Sequence, residues 1–236
     1  MIKVLVFRLW GDYGHFKKFY TTTSPLTFEF PPPVTVFGII SAIIGLDKDS
    51  YLEEFQDASK YSVAICIEKP VKKVRWTQNL IDTKRHFWKI HNRTQIRTEF
   101  LKDPGFKIYF SHHDPKIYDA LKGKLMAHKS HYSISLGLSE LLADFEFLGE
   151  QAIISSTTDK WYKIQSVIPC SALLDDQSIE FESGREIFKI NYPVEMMPDR
   201  VVSRREDVIF ERMGLPVACK VKQVSVTEKG DEIVFF

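Results

Sequence analysis

Phe30-Pro31-Pro32-Pro33-Val34-Thr35-Val36-Phe37-Gly38-Ile39-Ile40-Ser41-Ala42-Ile43-Ile44-Gly45 sets three prolines against an almost wholly apolar run. The prolines force an extended approach. Thr35 is placed to cap a helix from about Val36 to Leu46. Phe37, Ile39, Ile40, Ile43 and Ile44 leave that helix little polar face, so it belongs between two layers. The elements around it supply the layers. Residues 2–9 hold the strand-length apolar run Val4-Leu5-Val6-Phe7, and residues 61–68 alternate around Val63, Ile65 and Ile67. Phe106 to Phe110 reads as a strand after the Pro104-Gly105 turn. Asp114-Pro115 has the cap-then-proline pattern of a helix start, and Ile117, Tyr118, Leu121 and Leu125 follow at helical spacing. Asp144 to Ser155 alternates as a strand through Phe145 and Phe147. The order is β-α-β-β-α-β, which predicts an α+β, ferredoxin-like (RRM-related) domain over residues 1–150. Residues 151–236 read as a smaller C-terminal β-rich region, with strands over 161–168, 187–192, 207–211, 217–226 and 231–236.

Two weaker elements complete the pattern. Ser50 and Glu53 have capping-box spacing, which predicts a short helix through Leu52 and Phe55. Ser135 to Glu140 predicts a turn leading into a short helix through Leu142. Cys66, Cys170 and Cys219 are far apart and odd in number, which fits free thiols in a reducing cytosol rather than a disulfide framework. The longest apolar stretch, Val34 to Leu46, has 13 residues, too few to span a bilayer. A soluble cytoplasmic protein with no membrane partner is expected. The balance of apolar, aromatic and charged residues excludes a disordered chain.

The net charge of +1 conceals an asymmetry. Lys69, Lys72, Lys73, Arg75, Lys84, Arg85, Lys89, Arg93 and Arg97 stand against the single acid Asp82. The remainder of the chain then carries 23 basic and 30 acidic residues, a net of −7. The segment is β-rich and irregular, so a protruding hairpin over about 69–101 is expected. Trp76, His86, Phe87, Trp88 and His91 are interleaved with its charges. Cations hold phosphates and flat rings stack on bases, the combination that binds single-stranded nucleic acid. A ribbon docking an acidic protein has the same composition. Arg8, Trp10, His15, Lys17 and Lys18 form a second basic and aromatic cluster after the first strand. The helix start at Thr35 offers backbone N–H groups to an anion.

Catalytic patterns are sparse. His112-His113-Asp114 holds two histidines that a strand would point to opposite faces, so they do not share a ligand. No phosphate-cradling glycine loop, GxSxG or HExxH occurs. No metal, no cofactor and no catalytic residue is assigned, and a binding protein is expected rather than an enzyme.

Four stretches resemble the fifth family of CRISPR-associated proteins, a RAMP-superfamily subunit of type I Cascade. They are Phe7-Arg8-Leu9-Trp10-Gly11 with His15-Phe16-Lys17-Lys18, the proline-led first helix from Phe30 to Gly45, Ser135-Leu136-Gly137-Leu138-Ser139-Glu140-Leu141-Leu142-Ala143, and Leu173 to Arg212 with Pro198-Asp199-Arg200. Size and pattern resemble subtype I-B. The resemblance implies a ferredoxin-like domain with a β thumb that caps the 5′ handle of the crRNA. It implies a non-catalytic subunit for antiviral defence, with the guide RNA, the repeated backbone subunit and the large subunit as partners, and target DNA reached through the complex. The RNA contacts it implies are Arg8, Trp10, His15, Lys17, Lys18, Thr35, Lys72, Arg75, Trp76, Arg85, His86, Trp88, Lys89, Arg93, Arg97 and Gly137. One branch of the family cleaves precursor RNA with a tyrosine, a lysine and a histidine. Tyr51, Lys116 and His112 or His113 are present, but not in that branch's context. A metal-independent endoribonuclease and a protein-only scaffold are the alternatives.

Overall fold

The computed structural model describes residues 2–21, 23–81, 88, 93–156, 160–175 and 178–236. Strand β1 (Ile2–Trp10) is apolar on both faces because both faces are covered. Leu5, Phe7 and Leu9 face the main core, while Val4 and Val6 face the other side. A short β2 (Tyr13–Gly14) follows, and then α1 (Pro33–Ile44). The helix begins three residues earlier than the sequence predicts, with Pro32 as N-cap. Thr35 is therefore not a cap. It lies in the first turn, and its N–H donates to the Pro32 carbonyl at 2.8 Å. Pro33 has the right φ for a first helical residue and no N–H to leave unpaired, so it starts the helix itself. Gly45 ends α1 in the left-handed region at φ 91.

After two 3₁₀ turns come β3 (Tyr61–Ile67), β4 (Lys73–Ile81), β5 (Arg93–Lys102), β6 (Gly105–His112), α2 (Pro115–Met126) and β7 (Asp144–Ser156). Asp114 caps α2 by accepting from the Lys116 N–H. Ile117, Leu121 and Leu125 form its buried face. The capping box at Ser50 does not form: the segment is a 3₁₀ turn over Tyr51–Phe55, although Leu52 and Phe55 are buried as expected. The predicted short helix through Leu142 is also absent. Gly137 sits at φ 101, which breaks a helix, and Leu136 and Leu141 close a turn by a backbone hydrogen bond instead.

The central strands lie in the order β7-β1-β6-β3, all antiparallel. This is the ferredoxin-like arrangement, with α1 and α2 packed on one face and the β4–β5 hairpin inserted between β3 and β6. The rest of the chain forms β8 (Tyr162–Ile164), β9 (Ile168–Pro169), β10 (Ile187–Met196), β11 (Val202–Glu211), β12 (Val217–Cys219), β13 (Val224–Thr227) and β14 (Glu232–Ile233). Strands β10 and β11 make a long hairpin joined by β9. Both strands are longer than predicted, because β10 continues past Pro193 through bulges and β11 begins in the polar run Ser203 to Asp207. A second core around Ile164, Ile168, Ile209 and Cys219 lies beneath them.

Strands β13 and β14 return to the first sheet and extend it beyond β7. With them, Ile233 and Phe235 pack on Val4, Val6, Ala64, Cys66 and Tyr109, closing the face opposite the helices. Burial there pushes the Cys66 thiol up to about 12, so it stays protonated. No helix among the described residues is long and apolar enough to cross a membrane.

Candidate nucleic-acid interface

Side chains alternate along a strand, so the β4–β5 hairpin has two distinct faces. Val74, Trp76, Gln78 and Leu80 share one with Ile96, Thr98 and Phe100 across the ladder. Lys73, Arg75, Thr77, Asn79 and Ile81 share the other with Arg93, Arg97 and Glu99. Among the described residues of the hairpin, Trp76 and the cations Lys73, Arg75, Arg93 and Arg97 are thus on opposite faces. Trp76 stacks on Phe100 at 4.3 Å and meets Tyr13 edge-on at 4.7 Å, so it is half-buried at the hairpin base. Arg93 and Arg97 are exposed on the cationic face, and Lys72, before the strand, is exposed as well. Trp88 is 93% exposed. Arg85, His86 and Lys89 lie outside the described residues.

The apolar face of the hairpin forms one wall of a groove of ≈ 450 Å³. Leu80 and Ile96 line that wall, and His15, Lys17 and Pro25 line the other. Thr35 and Gly137 close the end. Four of the residues predicted to touch RNA, His15, Lys17, Thr35 and Gly137, therefore meet here although they are spread over the chain.

The junction is tight. The His15 N–H donates to the Leu136 carbonyl at 2.8 Å. A Cβ built on Gly137 would lie 1.9 Å from the His15 carbonyl oxygen, so only glycine allows this approach. The His15 ring is buried, and its Nδ1 donates to the Glu99 carbonyl at 2.7 Å. Burial lowers its pKa, against the pull of that hydrogen bond and of the Glu99 charge, which leaves the ring neutral at pH 7.

Other predicted contacts are engaged within the protein. Lys18 is buried, with Nζ 3.1 Å from Glu29, so it is a structural cation. Arg8 lies on the sheet face away from the helices and pairs with Glu68 at 3.0 Å and Glu146 at 3.1 Å. Trp10 is half-buried at the end of β1. Arg75 pairs with Glu99 at 2.7 Å, and Lys73 bridges Glu29 at 2.7 Å and Glu99 at 3.1 Å. The Tyr192 hydroxyl donates to Glu29 and accepts from its N–H, which ties the chain of charges to β10. Burial works to raise the Glu99 carboxyl, but the Arg75 and Lys73 charges outweigh it and hold it below the usual carboxylate range. The sequence offered no sign of this network beyond acids standing alone beside basic runs.

His112 and Tyr51, two of the residue types such a cleavage constellation uses, sit in different surroundings. The His112 Nδ1 accepts from the Asp114 N–H at 3.0 Å, and its Nε2 faces the Glu54 carbonyl at 3.3 Å. Tyr51 lies instead along α1 beside Gly38. Among the described residues no group of three or more His, Cys, Asp or Glu is placed to hold a metal ion.

Residues 4–137, more than half of the chain, match the family model for CRISPR-associated protein (Cas_Cas5). The chain belongs to the Cas5 family. Three solved structures share the fold of this Cas5 protein. A CRISPR protein from Archaeoglobus fulgidus is 13% identical with a TM-score of 0.58, covering 100% of this chain and 99% of that one. A chain of a CRISPR RNA-guided surveillance complex is 10% identical with a TM-score of 0.54, covering 90% and 91%. A chain of the Type III-B Cmr-beta complex bound to cognate target RNA and AMPPnP is 12% identical with a TM-score of 0.53, covering 92% and 86%. No curated protein sequence matches the chain.

Proposed function

We propose that this Cas5-family protein is a non-catalytic RNA-binding subunit of a type I CRISPR surveillance complex, of subtype I-B, that holds the 5′ handle of the guide RNA. The observation that carries this reading is the groove in which the apolar hairpin face meets His15, Lys17, Thr35 and Gly137. A strand bending around the hairpin finds apolar surface for bases on one side and Arg93 and Arg97 for phosphates on the other. Residues 1–150 supply this grip and residues 151–236 brace it. The repeated backbone subunit and the large subunit are the protein partners, target DNA is met through the assembly, and the complex works in the cytoplasm.

Fluorescence anisotropy with handle RNA and with an unrelated RNA, at matched salt, tests the reading. Tighter binding to the handle is expected, and equal affinity overturns its handle-specific part. Incubation of the pure protein with repeat RNA in chelator tests the non-catalytic part. No cleavage product is expected, and a product band overturns it.

A further inference from the structure

We propose that the hollow between α1, the turn at residues 133–137 and the tip of the β10–β11 hairpin is a pocket for one unstacked nucleobase of the bound strand, with Tyr51 as its stacking face and Arg200 on its rim. This rests on the RNA-binding reading above and adds a site to it.

Two cavities, of ≈ 370 and ≈ 680 Å³, share Gly38, Ala42, Tyr51 and Ser133. The first also shares Thr35 and Gly137 with the hairpin groove. A strand that leaves the groove at Thr35 therefore passes directly to the hollow. The Tyr51 hydroxyl lies 3.4 Å from where a Gly38 Cβ would stand, so a larger side chain at Gly38 would fill the space. Across the hollow, Arg200 holds a left-handed φ of 65 in the hairpin turn, and its Nη2 donates to the Lys48 carbonyl at 2.9 Å.

The chemistry of the lining selects the ligand. A phosphate needs cations, yet Arg200 is the one cation lining the first cavity among the described residues, and Lys48 in the second stands beside Asp47. The floor is apolar, from Val34, Ile39 and Met196. Around it the hydroxyls of Thr35, Tyr51, Ser133 and Ser135 have no hydrogen-bond partner among the described residues. A hydroxyl both donates and accepts, and such groups over an apolar floor fit a flat ring with a hydrogen-bonding edge. An apolar side chain of a partner protein would leave all four unpaired. Burial raises the Tyr51 phenol, which keeps its proton and its capacity to donate. Stacking of unpaired bases on aromatic rings is the usual means by which proteins read single-stranded RNA.

The test uses the full-length protein and a series of handle RNAs, each with one base removed. With the wild-type protein, one abasic position is expected to weaken binding about 5- to 150-fold, the range for loss of one base–aromatic stack. Tyr51→Ala is expected to weaken intact RNA by the same factor and to have no further effect on that abasic RNA. The slope of affinity against salt stays unchanged, because the substitution leaves every phosphate held as before. Tyr51→Phe, which keeps the ring, loses only a few-fold. Gly38→Leu fills the hollow while favouring the helix, and is expected to reproduce the Tyr51→Ala loss even if the latter folds poorly. Effects of Tyr51→Ala and base removal that multiply at every position overturn the pocket while leaving the RNA-binding reading intact. So does wild-type affinity in Gly38→Leu. Failure of the wild-type protein to bind the handle overturns both.

Discussion

Lys18 follows Lys17 in a basic and aromatic run, yet only Lys17 is exposed. The difference lies in a partner eleven residues away. Glu29 is itself buried and holds Lys18, Lys73 and the Tyr192 hydroxyl. Sequence shows the charge of a residue but not which cation a distant acid will claim, and so Lys18, Arg8 and Arg75 read as phosphate contacts. Glu29→Ala would leave the Lys18 ammonium buried without its partner. A loss on the order of 3–5 kcal/mol is expected, measured by urea unfolding. Two groups at the hairpin base contribute to the response to acid. His15 is held neutral by burial, so below its ordinary value of 6.5 the unfolded chain takes up a proton that the folded one resists. Glu99 is held below its ordinary 4.5, so its stabilising share is present above that value and is lost as pH falls through the lowered one. Stability is expected to be level between about pH 7 and 8, to decline below about 6.5, and to decline further below about 4.5. Glu99→Gln should shrink the second decline in a pH series of denaturation curves, the remainder coming from Glu150, Asp207, Asp103 and Asp57, whose carboxyls are also held below their ordinary values.

The hairpin over β4 and β5 is the element on which sequence and structure agree in outline and part in detail. A β-rich basic segment was legible as a ribbon. Its register was not, and register decides that Arg75 and Trp76 point to opposite faces. The basic run's excess charge is also partly answered by Glu29, Glu99 and Asp103. The exposed remainder, Arg93 and Arg97, predicts a divided response to mutation. Arg93→Ala with Arg97→Ala should flatten the salt dependence of handle binding by about one unit for each phosphate no longer neutralised. Leu80→Ser with Ile96→Ser should weaken binding with the salt slope unchanged, because those side chains face the groove. Titrations at three or more salt concentrations separate the two cases. Gly137→Ala belongs with this element too. Its new methyl would meet the His15 carbonyl, and both thermal stability and handle affinity should drop.

For the molecule as a whole, the β-α-β-β-α-β order was legible because each central element carries its own periodicity and punctuation. The long apolar run of β1 and the Asp114-Pro115 helix start are local signals that tertiary structure leaves in place. The return of β13 and β14 to the first sheet was not legible. They are four and two residues long, and nothing in so short a pattern names the partner strand. The same limit hid the Tyr51 hollow, whose walls come from α1, the 133–137 turn and the β10–β11 tip. The returning strands are structurally committed: Ile233 is fully buried. Ile233→Ala should cost about 2–5 kcal/mol and raise binding of a hydrophobic dye, as the far face of the sheet loosens.

That return also bears on how the protein is made. Translation delivers β1 first, while the segment that seals its outer face emerges more than two hundred residues later. Until then a nascent chain on the ribosome carries Val4, Val6 and Tyr109 uncovered. Contacts between such distant positions form slowly and leave unfinished sheets open to aggregation. A sheet whose outer face is closed by β13 and β14 is therefore expected to be completed late rather than element by element.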